Sequence, residues 1–166
     1  MELINELLKH NHIQGPVTSM EAMEAVLQAV YRKINTVIPD SAILVGGSAA
    51  FYYHYQKHLQ GDVLMNDLDV SLIHNTDVIK SLHESTKAFP ELKVLRDTCT
   101  IVPMGVADLH IDLDQSRNLA SFRSGSMSKH PRIRFLCLHN LKKFYKTMNR
   151  PKDQGKLEII ARYKSR

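Results

Sequence analysis

The spacing of apolar residues predicts helices at both ends of the chain and strands in its middle. Apolar residues recur every three or four positions where helices are predicted, over residues 1–9, 19–38, 49–59, 75–89, 136–148 and 152–163. Alternation or short apolar runs predict strands over residues 42–45, 67–72, 92–95, 99–102 and 106–114. Residues 118–131 are mostly polar and are predicted to form a loop. This order indicates an α+β (α/β mixed) fold in which a small mixed sheet is flanked by helices.

Two of the predicted helices begin at capping residues. Thr18 is followed three positions later by Glu21, which is the spacing of a capping box, so Thr18 is predicted to cap its helix. Asn75 stands directly before an apolar stripe and is predicted to cap the helix that follows it.

The stretch 42–73 carries the candidate chemistry, and its first part is a glycine turn between a strand and a helix. Glycines give the backbone freedom that a sharp turn needs, and the following helix begins with unpaired N–H groups and a positive dipole end. This arrangement suits a phosphate group. The turn consists of Gly46, Gly47 and Ser48, and the helix after it is predicted to pack through Phe51, Tyr55 and Leu59.

Carboxylates follow on two later strands. Asp67 and Asp69 stand two residues apart and therefore on one face of a strand, where their like charges repel each other. A divalent cation that prefers oxygen ligands, Mg²⁺ or Mn²⁺, is predicted to bind there. Asp112 is predicted to complete the metal site because apolar neighbours bury its flanks, with Asp108 as the alternative. The strand face in question carries Asp108, His110, Asp112 and Asp114.

Histidines and cysteines fit less specific roles. His54 and His58, four residues apart on one predicted helix, have the spacing of a zinc-binding pair but lack a third ligand of clear spacing. His110 shares a strand face with Asp112 and either modulates it or makes an ordinary hydrogen bond. The two cysteines lack CxxC spacing and fit buried or free thiols.

Length, composition and charge distribution narrow the function. The chain of 166 residues is predicted to be one domain, with a helical N-terminal segment (1–40), a sheet core (41–115) and basic C-terminal helices (132–166). Residues 123–166 contain 13 Lys or Arg and 2 Asp or Glu, whereas residues 1–122 contain 9 and 15, so a nucleoside triphosphate or a nucleic acid is the expected partner. The acidic start and the absence of a long apolar segment predict a cytoplasmic protein without membrane contact.

These motifs resemble the polymerase-beta superfamily of nucleotidyltransferases, in which a glycine turn opens a helix, an hDhDh strand follows, and a later strand supplies a third acid. Within that superfamily, GGSAAFYY, NDLDVSLI and HNLKKFYKTMNRPKDQGKLEII look most like the group of abortive-infection toxin and antibiotic-modifying nucleotidyltransferases. The resemblance spans residues 42–160. It implies a polymerase-beta-type fold, Mg²⁺ or Mn²⁺ as cofactor, and transfer of a nucleoside monophosphate from a nucleoside triphosphate to an acceptor hydroxyl.

The resemblance also implies roles for individual residues, with Lys142 as the alternative to Lys143. Those implied in catalysis are Asp67, Asp69, Asp112 and Lys143, of which the three aspartates bind the metals. Those implied in nucleotide binding are Gly46, Gly47, Ser48, Lys143, Lys152 and Asp153. The chain departs from its relatives at residues 63–66, where many have an arginine, and at Lys156, where they have a second late acidic residue.

The acceptor is not specified by these motifs. The basic C-terminal region favours RNA as the acceptor, and the toxin relatives favour tRNA in particular. Small antibiotics and proteins also fit as acceptors. A cognate protein partner is also compatible with these motifs. Three other functions fit the same residues: a non-catalytic module that binds nucleotide or nucleic acid, a metal-dependent nuclease, and a protein-interaction component.

Overall fold

The structure, a computed structural model, describes residues 2–9, 17–58, 65 and 67–163. Its helices are α1 (Glu2–Leu8), α2 (Met20–Val37), α3 (Gly47–Tyr55), α4 (Thr76–Thr86), α5 (Gln115–Ser124), α6 (Leu138–Met148) and α7 (Pro151–Arg162). Its strands are β1 (Ala42–Val45), β2 (Leu68–Ile73), β3 (Lys93–Arg96), β4 (Cys99–Met104), β5 (Ala107–Asp112), β6 (Ser126–Met127) and β7 (Ile133–Phe135). The predicted mixed α+β class is confirmed. None of the helices in these ranges is both long and apolar enough to cross a membrane.

The seven strands of the described ranges form one mixed sheet in the order β3-β4-β5-β2-β1-β7-β6. Strands β2 and β5 run parallel, as do β1 and β7, and the other neighbours are antiparallel. Between β2 and β5 the chain crosses over through α4 and the β3-β4 hairpin, as a parallel pair requires. Because β1 runs antiparallel to β2, the end of β1, where the glycine turn begins, lies beside the start of β2.

Alternation along the strands gives the sheet two different faces. Most of the helices pack on the apolar face, whose buried side chains include Ile43, Val45, Leu68, Val70, Leu72, Leu109 and Ile111. On the other face α5 covers Leu44 and Ile73. Asp69 lies on that second face and its side chain remains 50% exposed. The acidic residue of β2, Asp69, is thus held by a buried strand yet remains accessible to a ligand.

The prediction of a loop over residues 118–131 is wrong, because α5 and β6 occupy most of it. The Asp114 side chain caps α5 by accepting a backbone hydrogen bond of 3.1 Å. Leu119 and Phe122 pack on the sheet, and the Arg134 guanidinium lies 5.2 Å from the centre of the Phe122 ring. Two apolar residues three positions apart are too weak a pattern to predict a helix among polar neighbours.

One of the two predicted helix caps is wrong and the other is confirmed. Ser19, not Thr18, caps α2, because its hydroxyl oxygen accepts a 3.0 Å hydrogen bond from the backbone N–H of Ala22. Asn75 caps α4 as predicted, and its side-chain oxygen accepts a 3.0 Å hydrogen bond from the backbone N–H of Val78.

The helix after the glycine turn is shifted toward the N-terminus. It was predicted over residues 49–59, whereas α3 begins inside the turn at Gly47 and ends at Tyr55. Phe51 and Tyr55 are buried as predicted, but Leu59 lies outside the described residues. The earlier start matters because it places the turn residues in the first turn of the helix.

We expect Ser19→Ala to lower the free energy of unfolding by about 1 kcal/mol, because it removes the side-chain acceptor at the start of α2. Thr18→Ala is the matched control and should change it by less than about 0.5 kcal/mol. Urea unfolding followed by circular dichroism measures both. A larger loss for Thr18→Ala than for Ser19→Ala would assign the cap to Thr18 after all.

Candidate active site

The glycine turn is fixed by backbone geometry and by two long-range contacts. Gly46 is the N-cap of α3 and offers no side chain to the helix, and Gly47 has a φ of +57°. The Gly46 N–H donates a 3.0 Å hydrogen bond to the carbonyl of Asp69, and the Tyr145 hydroxyl donates a 3.3 Å hydrogen bond to the carbonyl of Gly47. Burial raises the pKa of Tyr145, so its hydroxyl remains protonated and able to donate. No side chain caps the first amides of α3, which leaves them available to a ligand.

Gly47 lies directly against the Asp69 carboxylate. A Cβ at Gly47 would stand 2.7 Å from Asp69 Oδ2, which is closer than side-chain carbons approach neighbouring atoms. The positive φ independently disfavours any L side chain at this position. The backbone conformation therefore favours glycine here, and a Cβ would in addition displace the Asp69 carboxylate.

A second carboxylate stands beside Asp69 on the neighbouring strand. In the parallel pairing of β2 with β5, Asp69 is opposite Asp108, so the two side chains share a sheet face. Burial, and then repulsion from Asp67 and Asp69, raises the pKa of Asp108 above its ordinary value. The repulsion means that all three carboxylates lie within electrostatic reach of one another.

His110 contacts this acidic group. Its Nε2 lies 3.4 Å from Asp69 Oδ1, an ion-pair contact rather than an aligned hydrogen bond, and its Nδ1 lies 4.0 Å from Cys99 Sγ. Burial disfavours the charged imidazole, but the contacts with Asp69 and Cys99 outweigh it and raise the pKa of His110 to about 9. At neutral pH His110 therefore carries a positive charge beside Asp69, whereas the sequence pattern paired it with Asp112.

The structure does not bring Asp112 to the other carboxylates. It lies four residues beyond Asp108 along β5, about 13 Å away at the rise of a strand. There it is buried and bound by Arg96, whose guanidinium donates to Oδ2 at 2.7 Å, and by the backbone N–H of Asp114 at 3.0 Å. The geometry corrects the choice of Asp112: Asp108 is the carboxylate beside Asp69, and Asp112 fastens β3 to the end of β5.

The predicted residues of α6 and α7 have mixed placements. Lys143 is exposed, and at 100° per residue it projects from the face of α6 opposite Tyr145, which is the residue that contacts the glycine turn. Lys152 is exposed in the first turn of α7. Asp153 is fully buried and accepts hydrogen bonds from the Arg150 side chain at 2.8 and 3.0 Å, which hold the pKa of Asp153 below its ordinary value. Asp153 is thus engaged in the start of α7, and Lys143 does not reach the turn.

Lys156 reaches the turn in their place. Its Nζ lies 3.4 Å from the hydroxyl of Ser48, in the first turn of α3. In the resemblance Lys156 was only a departure from an acidic position, and nothing in the local sequence connects it with a residue 108 positions earlier. The pairing of an α7 lysine with a serine in the turn is the feature that sequence reasoning missed.

The donor atoms of the site fit a hard divalent cation in one specific way. Asp69 and Asp108 offer adjacent carboxylates, the oxygen ligands that Mg²⁺ and Mn²⁺ prefer, and Asp67 adds negative charge. In the part of the chain that the structure describes, no group of three His, Cys, Asp or Glu residues lies close enough together to hold a metal ion. The arrangement fits a cation held by two carboxylates whose other ligands come from substrate phosphate.

The predicted histidine pair is used differently. His54 Nε2 lies 2.9 Å from the carbonyl oxygen of Leu136, in the buried side of α3. The His58 ring stacks on Tyr163 with ring centres 4.3 Å apart. Both histidines therefore tie α3 and its end to later parts of the chain.

Comparisons with known proteins do not identify the chain. Neither protein-family models, nor curated proteins, nor solved structures give a match.

We expect Gly47→Ala to lower the free energy of unfolding by about 1–2 kcal/mol, because alanine is strained at positive φ and its Cβ displaces the Asp69 carboxylate. Gly46→Ala is the matched control: Gly46 has extended backbone, and a Cβ there meets no atom within 4 Å. It should lower the free energy of unfolding less, because it loses only the preference of an N-cap position for glycine over alanine. Equal losses in urea unfolding would contradict the close contact at Gly47.

We expect His110 to titrate near pH 9 in the metal-free protein and Asp69→Asn to lower that pKa, because burial then acts without the carboxylate. Because the folded-state pKa exceeds the ordinary 6.5, the pair stabilises the protein fully below pH 6.5 and progressively less as the pH rises through 9. NMR of the histidine rings in the presence of a chelator measures the pKa. Asp67→Asn is the control and should move it less; a wild-type value at or below 6.5 would exclude the ion pair.

Proposed function

We propose that the protein is a metal-dependent nucleotidyltransferase with a polymerase-beta-type fold. It transfers a nucleoside monophosphate from a nucleoside triphosphate to an acceptor hydroxyl. The acceptor oxygen bonds to the α-phosphorus, the bond between that phosphorus and the α,β-bridging oxygen breaks, and pyrophosphate leaves.

The observation that carries this proposal is the contact between Gly47 and Asp69. A phosphate on the first amides of α3 is stabilised by the hydrogen-bond donors and by the dipole of the helix. Asp69 Oδ2 lies 2.7 Å from the position that a Cβ would take at Gly47, so the carboxylate is close to the start of α3. The site therefore joins an anion-binding element to an acidic pair, and an anion and carboxylates coexist at such range when a cation lies between them.

The residues of the site then have distinct roles. The turn amides bind and orient phosphate oxygens, and Asp69 with Asp108 holds the cation. The chemistry that bound Mg²⁺ or Mn²⁺ supplies is stabilisation of negative charge on the phosphate oxygens. Asp108 stands opposite Asp69 in the strand register, and we assign its carboxylate as the acceptor for the hydroxyl proton.

The acceptor that the surface favours is RNA, with tRNA as the specific case that the resemblance suggests. Exposed lysines lie on α6, the helix whose Tyr145 contacts the glycine turn, and at the start of α7: Lys142, Lys143, Lys146 and Lys152. Such a basic surface attracts a phosphate backbone without reading its bases. We assign binding of the acceptor to these lysines, including Lys143, which does not reach the turn.

The function is tested by incubating the protein with each of the four α-labelled nucleoside triphosphates, Mg²⁺ or Mn²⁺, and pools of RNA or protein. Label entering one pool, with release of pyrophosphate and loss of both in Asp69→Ala, is the expected result and identifies the acceptor class. Nucleotide binding without turnover would instead indicate a non-catalytic module. Shortening of RNA without triphosphate would indicate a nuclease, and the absence of all three would overturn the proposal.

The same assay distinguishes Asp108 from Asp112, the two candidates for the third carboxylate. We expect Asp108→Asn to reduce transfer at least about 100-fold while the protein stays folded, because it removes the proton acceptor and a cation ligand. Asp112→Asn should retain transfer at temperatures where it is folded, and should lower the midpoint of thermal unfolding by weakening the Arg96 contact. The opposite ranking of the two variants would return the role to Asp112.

A further inference from the structure

Lys156 is held in a confined environment at the mouth of the candidate site. It is half-buried on α7, and its Nζ lies 5.1 Å from the centre of the Tyr145 ring and 5.9 Å from that of Phe51. The ammonium group is 3.4 Å from the Ser48 hydroxyl. The two rings restrict the lysine side chain and direct its charge toward the first turn of α3.

This lysine has no counter-ion of its own. Among the described side chains no carboxylate lies within 4.0 Å of its ammonium group, and Asp153, the acid of α7 whose charge acts on Lys156, is occupied by Arg150. Burial lowers the pKa of Lys156, and the charges of Lys152 and Arg150 lower it further while Asp153 opposes them. A half-buried cation without a counter-ion is costly, and an anionic ligand would offset that cost.

The position of Lys156 relative to the carboxylates indicates which part of a nucleotide it meets. Ser48 directly follows Gly47, so Lys156 contacts one residue of the turn and Asp69 lies against the residue before it. In the proposed reaction the α-phosphate belongs with the acidic pair, where the bond to the acceptor forms. The phosphates beyond it carry the remaining charge and extend along the turn.

We propose that Lys156 binds the β- and γ-phosphates of the donor and thereby makes the site selective for a nucleoside triphosphate over the corresponding monophosphate. This inference rests on the proposed function, since it names the donor class that the same site selects. It assigns a ligand role to a lysine in place of Lys143, Lys152 and Asp153.

The test compares triphosphate with monophosphate binding in the full chain. The probes are the α,β-methylene analogues of the four nucleoside triphosphates, which cannot be turned over, and the four monophosphates, with Mg²⁺, by equilibrium dialysis. The variants are Lys156→Met, which keeps the apolar stem, Lys156→Arg, which keeps the charge, and Lys80→Met as a charge-matched control on the exposed face of α4. Thermal unfolding of each variant checks that it is folded.

We expect Lys156→Met to weaken triphosphate binding about 10- to 100-fold and monophosphate binding less than threefold, because one charged hydrogen bond to phosphate is lost. Lys156→Arg should restore part of the difference, and Lys80→Met should resemble wild type. Equal loss for both ligands, or no loss for either, overturns the role of Lys156. If wild type transfers nucleotide normally in that case, the proposed function stands alone; if wild type binds no nucleotide, both fail.

Discussion

The close approach of the Gly47 backbone to the Asp69 carboxylate is the constraint on which the candidate site depends. It requires the end of β1 to lie beside the start of β2, which their antiparallel register provides by pairing Val45 with Val70. It also requires a left-handed residue without a Cβ, which only glycine provides without strain. The Tyr145 hydroxyl then holds the carbonyl of Gly47 from α6. Sheet register, turn conformation and the C-terminal helices therefore meet at one peptide.

The site also brings several negative charges together, and the chain balances only part of that charge with its own residues. Asp67 and Asp69 repel Asp108, whose pKa is raised first by burial and then by this repulsion. The charged imidazole of His110 balances Asp69 at 3.4 Å, which leaves the negative charge of Asp67 and Asp108 without an equivalent contact among the described residues. Because part of the negative charge is not balanced in the free protein, the site would favour the binding of a cation.

The sequence was informative where the decisive interactions are local. Period-two alternation placed Asp67 and Asp69 on one face, and the glycine pair identified the turn, because both patterns are set within a few residues. Alternation along β5 put Asp108 and Asp112 on one face, the apolar flanks favoured Asp112, and only the register with β2 shows that Asp108 is the one beside Asp69. A register between strands that are distant in the chain is decided by packing across the sheet and leaves no mark in either strand alone. The same reason explains why the contact of Lys156 with Ser48 was not predictable.

The charges on the two sides of the turn also explain why residue 156 of α7 is a lysine, whereas the family that the sequence resembles has an acid there. Asp69 lies against Gly47, and Lys156 contacts Ser48 directly after it, so opposite charges flank consecutive residues of one helical turn. An acid at residue 156 would be disfavoured by the negative faces of the Tyr145 and Phe51 rings. A lysine there gives the turn a cationic side facing away from the carboxylates. A ligand that matches both sides carries a cation at one end and unneutralised negative charge at the other, which is the charge distribution of a triphosphate bound to one metal ion.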